Sequence, residues 1–124
     1  MGNLTSIADT SVLIGAFEVV DAAKEGTWAV SVVTIGELYA GVRMAERDAQ
    51  QSARLKRLAA VLSLVTVLDI DRRVATAYGD LRTMSKRAPS NDLWIAGTAL
   101  AHELELVTLD QGQAALPLVR TQLI

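Results

Sequence analysis

A chain of 124 residues, 51% apolar and 21% charged, has room for one hydrophobic core and too few charges for a disordered segment. It has no cysteine, which excludes a disulfide scaffold, a thiolate zinc site and a cysteine nucleophile. The formal net charge of −2 is unevenly spread: residues 43–87 carry ten basic against five acidic side chains, a local +5, and the rest is acidic. A basic face beside an acidic pocket is a plausible nucleic-acid footprint, although arginines on solvated helix faces give the same count.

The first strand is expected over about residues 4–8, followed by a helix from Ser11 through Phe17 and a second helical stretch from Val19 to Glu25 that Gly26 ends. Trp28 to Val33 is rich in valine and reads as a strand. Thr34 to about Glu46 reads as a helix with Leu38, Val42 and Ala45 on one face. Residues 49–62 form an amphipathic helix with Leu55, Leu58, Ala59 and Leu62 inward, and Val65–Leu68 a short strand. Asp71–Lys86 is a long helix whose apolar stripe is Val74, Ala77, Tyr78, Leu81 and Met84. Pro89 breaks it, and Ser90 or Asn91 caps a helix running to about His102. Leu104–Thr108 is a strand, and a last short strand uses Leu118 and Val119. Strands alternating with helices predict an α/β sandwich with a central, mostly parallel sheet flanked by helices. No linker, repeat or low-complexity stretch divides the chain, so residues 1–124 read as a single domain.

No apolar run approaches the 18 residues of a membrane span, and no signal-peptide pattern is present, so the default location is cytoplasmic. Met1–Ser6 fits an acylation pattern and Asn3-Leu4-Thr5 a glycosylation pattern, but both matches are short, and a strand beginning near Leu4 leaves no free arm. The mean hydropathy is positive, which points to apolar surface covered by a partner.

Four acids recur in one setting, each just past an apolar run and near a helix start: Asp9, Glu37, Asp92 and Asp110. In a parallel sheet, the strand ends and the following helix starts share the edge that binds ligands. Each acid alone also suits a helix N-terminus, and Thr34-Ile35-Gly36-Glu37 reads as a capping box with Glu37 reaching back. Capping does not require all four to share one edge, and four carboxylates gathered there call for a hard cation such as Mg²⁺ or Mn²⁺. The one histidine, His102, lies about 15 Å from Asp92 along its helix, which excludes a two-histidine ribonuclease. Phosphate-binding glycine loops are absent, and Ser11 has no histidine partner. Carboxylate-held metal acting on a phosphodiester remains. Aromatic residues make up only 4%, so RNA contact is expected through arginines rather than a stacking platform, with Trp28 in packing and Trp94 in the core or a dimer contact.

The strings Asp9-Thr10-Ser11, Thr34-Ile35-Gly36-Glu37-Leu38-Tyr39-Ala40-Gly41-Val42, Asn91-Asp92-Leu93-Trp94-Ile95-Ala96 and Leu106-Val107-Thr108-Leu109-Asp110 together resemble PIN-domain nucleases, in particular the VapC toxins of bacterial VapBC toxin–antitoxin pairs. The resemblance spans essentially the whole chain. It implies a PIN-like sandwich and a Mg²⁺- or Mn²⁺-dependent endoribonuclease, usually dimeric and silenced by a VapB antitoxin. Its substrate would be structured RNA, tRNA or rRNA, cut to leave a 5′-phosphate. By the same resemblance Asp9 and Asp92 hold the metal directly, while Glu37 and Asp110 bind metal or orient the attacking water. Ser11 and Thr108 match hydroxyl positions beside the carboxylates, which cap or turn roles would equally explain. Two features depart from the pattern: Gly112 and Gln113 stand where many relatives have an aspartate and an aromatic residue, and the stretch from Lys86 to Asp92 is short. A housekeeping RNA-processing nuclease of the same fold is the near alternative. A non-catalytic receiver-like module is the distant one, disfavoured because strand 1 ends in Asp9 alone and no lysine follows Lys86.

Overall fold

Short runs of β-branched and aliphatic residues separated by helical patterns build a parallel sheet, because parallel neighbours need a crossover between them. The computed structural model describes residues 3–23 and 26–124. Its strands are β1 (Ser6–Ala8), β2 (Trp28–Ser31), β3 (Thr66–Leu68), β4 (Glu105–Thr108) and β5 (Thr121–Leu123), in the order β3-β2-β1-β4-β5, and every pairing is parallel. Between them run α1 (Thr10–Gly15), α2 (Phe17–Asp21), α3 (Val32–Arg43), α4 (Asp48–Leu64), α5 (Arg72–Met84), α6 (Ser90–Ala101) and α7 (Gln111–Ala114). Among the described residues, no helix is long and apolar enough to cross a membrane.

Successive strand residues feed opposite faces, as the two-residue period requires. Ala8, Val30 and Val107 join Val12, Leu38 and Val61 in a core beneath α1 to α4. Ile7, Ala29 and Leu106 join Leu81, Leu93 and Ala96 in a second core beneath α5 and α6. The sheet is therefore covered on both sides, as parallel sheets are. Gly97 lets α6 approach α5 closely: a Cβ there would stand 3.2 Å from the Tyr78 backbone nitrogen and 3.3 Å from the Val74 carbonyl oxygen.

Several expected boundaries move, each for a local reason. Strand 2 stops at Ser31, whose hydroxyl accepts from the Val33 amide and starts α3 two residues before the expected Thr34. Thr34 is thus helical and buried, and Glu37 lies in the second turn, so the capping box does not form. Neither Ser90 nor Asn91 caps α6; Pro89 occupies the cap position and both lie within the first turn. The last strand is not at Leu118 and Val119, because Leu118 takes a left-handed φ of 68°, which no strand contains. The two expected helices after β1 are both present but shifted, α1 ending at Gly15 rather than Phe17 and α2 running from Phe17 to Asp21, with Gly26 (φ 83°) turning the chain towards β2. The last residues of the expected second helix, Lys24 and Glu25, lie outside the described residues, as do Met1 and Gly2 with the acylation pattern. On α4 only Leu58 and Val61 are deeply buried, while Leu55 and Leu62 are 53% and 42% exposed. Met84 is likewise exposed at the end of α5.

Candidate active site

The strand order reverses at β1: β2 and β3 are added on one side, and β4 and β5 on the other. At such a switch point the connections leaving two adjacent strands diverge and open a crevice at their carboxyl ends. Asp9 directly follows β1, and Asp110 lies two residues beyond β4 across that crevice. Ladder bonding continues between them, the Asp9 amide donating to the Val107 carbonyl at 3.1 Å.

Asp9 is the N-cap of α1 and only 5% exposed. Its Oδ1 accepts from the Ser11 hydroxyl at 2.5 Å and the Val12 amide at 3.3 Å, and its Oδ2 from the Thr108 hydroxyl at 2.5 Å. Those two hydroxyls are tied to the far side of the crevice. The Leu109 amide donates to Ser11 Oγ at 3.0 Å, and the Asp110 amide to Thr108 Oγ1 at 2.9 Å. Ser11 and Thr108 thus hold the Asp9 carboxylate in one orientation and register the loop after β4 against it. Asp110 is exposed and caps α7, accepting from the Gly112 amide at 2.8 Å. Glu37 projects from α3, and its Oε1 accepts from the Thr10 hydroxyl of α1 at 2.6 Å. The position of Thr10, which also bonds Thr34 at 3.2 Å, gives it a supporting role that its place in the sequence does not announce.

Asp92 lies in the first turn of α6 and is partly buried. Burial raises its pKa above the ordinary carboxylate range, and the negative charges of Asp110, Asp9 and Glu37 raise it further. All four acids therefore share one electrostatic neighbourhood. Asp71 provides the contrast: it caps α5 away from the cluster, and the Val74 amide holds its pKa below the ordinary value. A capping acid gains a donor, whereas Asp92 gains like charges.

The side chains stand apart, and among the described residues no three carboxylate or imidazole groups close on one point tightly enough to coordinate an ion. The cluster nevertheless has the character of a hard-cation site: four carboxylates, with the one ion pair among the described residues, Arg73–Asp71, lying elsewhere. His102, at the C-cap of α6, faces Arg73 rather than the acids. A groove of about 450 Å³ between α1, α3 and α4 leads to Glu37, lined by Ile14, Leu38, Arg54 and Arg57. Both arginines are braced, Arg54 on the Gly41 carbonyl and Arg57 on the Leu13 carbonyl, each at 2.7 Å. Arg57 also lies 4.7 Å over the Phe17 ring. Trp94 stacks on Tyr78 at 3.9 Å and Trp28 is buried, so both take packing roles within the chain.

The PIN domain family matches residues 7–118. Ribonuclease VapC4 of Mycobacterium tuberculosis is 38% identical over 120 residues, which cover 90% of this chain and 91% of that protein. Ribonuclease VapC5 of the same organism is 33% identical over 117 residues, covering 89% and 86%. Among solved structures, a member of the VapBC family of toxin–antitoxin systems, VapBC-5 from Mycobacterium tuberculosis, superposes with a TM-score of 0.81 at 31% identity, over 98% of each chain.

Proposed function

We propose that this chain, which belongs to the PIN-domain family and within it to the VapC ribonucleases, is the toxin of a toxin–antitoxin pair, an endoribonuclease that hydrolyses RNA phosphodiester bonds with the help of Mg²⁺ or Mn²⁺. The observation that carries this reading is the meeting of Asp9, Glu37, Asp92 and Asp110 at the switch point, where each acid raises the cost of ionising Asp92. Asp9 and Asp92 would hold the cation directly, and Glu37 and Asp110 would complete the set or orient water. A divalent cation on such oxygen ligands lowers the pKa of water and stabilises charge on phosphoryl oxygens.

The chain's own residues supply positioning. Ser11 and the Val12 amide donate to Oδ1 of Asp9 and Thr108 donates to Oδ2, which leaves one Oδ2 lone pair free to face a ligand. Thr10 fixes one oxygen of Glu37 and leaves the other available. Arg54 and Arg57, already braced on carbonyls, offer positive charge along the groove that approaches Glu37, where an RNA backbone would lie. The substrate class we assign is structured RNA, tRNA or rRNA, in the cytoplasm. The partner is a VapB-type antitoxin, and the toxin works as a homodimer. Exposed Ile14, Tyr39, Leu55 and Leu62 supply apolar surface for such partners to cover.

RNA cleavage by the purified chain tests the reading, with Mg²⁺ or Mn²⁺, with EDTA, and with Asp9→Asn. The expected result is metal-dependent cutting by wild type, reduced by Asp9→Asn to the level of the EDTA control. Equal cutting by both proteins, or none by wild type free of antitoxin, would overturn it.

A further inference from the structure

Gln113 is 1% exposed in α7, three residues beyond Asp110. Its Nε2 donates to the main-chain carbonyl of Asp92 at 3.0 Å, and among the described residues this is the only hydrogen bond between α7 and α6. A carbonyl can accept only from the amide nitrogen, so the bond fixes which end of the side chain faces α6. The other end, Oε1, is buried without a hydrogen-bond donor among the described residues. An unpaired buried acceptor costs about 1–3 kcal/mol, so a residue selected for stability alone would be apolar here.

The two elements that Gln113 joins carry acids that repel. Asp92 lies in the first turn of α6, and Asp110 is the N-cap of α7. The helix that presents Asp110 is four residues long, too short to hold its position unaided. We propose that Gln113 is a positioning residue that ties α7 to the first turn of α6 and so sets the separation of the Asp92 and Asp110 carboxylates before any cation arrives. The inference rests on the metal reading above. It adds that the α6–α7 half of the site is preorganised by one buried amide, much as Thr108 organises the half around Asp9.

Gln113→Leu and Gln113→Met remove the donor and the orphan acceptor together while keeping most of the volume, and Met adapts to irregular space. Mn²⁺ binding to the intact chain, followed by the electron paramagnetic resonance of free Mn²⁺, is the readout, with circular dichroism and Tm beside it. Loss of a supporting bond of this kind weakens metal binding by about 10- to 100-fold. We expect that loss in both variants, with Tm changed little because the orphan acceptor leaves as well. Mn²⁺ affinity within twofold of wild type in a folded variant would overturn the inference alone. So would failure of both variants to fold, which would make Gln113 a core residue. A wild-type chain that binds no Mn²⁺ would overturn the metal reading itself, and this inference with it.

Discussion

At the scale of single residues, the same carboxylate serves opposite ends depending on what surrounds it. Asp71 and Asp92 both sit at helix starts, yet the first gains an amide donor while the second is partly buried and faces three like charges. Because folding raises the Asp92 pKa, the stability tied to its neutral form is complete below the unfolded pKa and is lost as pH rises through the folded one. Asp92→Asn should therefore raise the Tm of the metal-free protein at neutral pH, and the gain over wild type should shrink as the buffer is taken to acid. Thermal melts of both proteins in EDTA across that range check the sign. Thr108 is the opposite case, a neutral group whose loss is costly: Thr108→Val strips a donor from Asp9 Oδ2 and an acceptor from the Asp110 amide. The expected price is about 1–3 kcal/mol of stability and about 10- to 100-fold in metal affinity, with Thr108→Ser restoring most of both. The four acids could be read from the sequence because their local setting repeats. Thr10 and Gln113 could not, because their partners lie 27 and 21 residues away and only the fold brings them within reach.

At the scale of elements, the order of strands and helices was legible and their edges were not. β-Branched valines at 32 and 33 suggest strand, but the Ser31 hydroxyl satisfies an early helical amide and the chain turns into α3. A helix that packs mainly on one neighbour also needs a narrower apolar stripe than its sequence offers. On α4 the stripe extends past the buried Leu58 and Val61 to the exposed Leu55 and Leu62. Leu55→Ser should thus leave the unfolding free energy within the roughly 0.5 kcal/mol scatter of surface changes, measured by urea unfolding of the isolated chain. Gly97→Val should behave very differently, because its Cβ meets backbone atoms of α5 that cannot rotate aside. A forced overpacking costs about 1–3 kcal/mol, against a helix-propensity gain of well under 1, so unfolding in urea should shift to clearly lower midpoints.

At the scale of the whole molecule, a net charge of −2 conceals a division of labour. Acids gather where the strand order reverses, and most of the basic residues lie in the middle of the sequence, on and around α4 and α5. RNA affinity measured on the Asp9→Asn chain, which keeps the RNA intact, should fall steeply with salt. Each phosphate contact adds about −0.7 to the slope of log affinity against log salt, and replacing Arg54 and Arg57 by alanine should remove one to two such increments. The sheet that makes this arrangement possible also sets when it can exist. Asp9 and Thr108 are 99 positions apart, and the first strand of the chain must pair with the fourth before their bond can form. During synthesis at about 5–20 residues per second, roughly 5–20 s separate the two. A chain cut short between α3 and β4 carries Asp9 and Glu37 but no second bank to the crevice. The crevice therefore gains its second bank only after β4 has been made and has paired with β1.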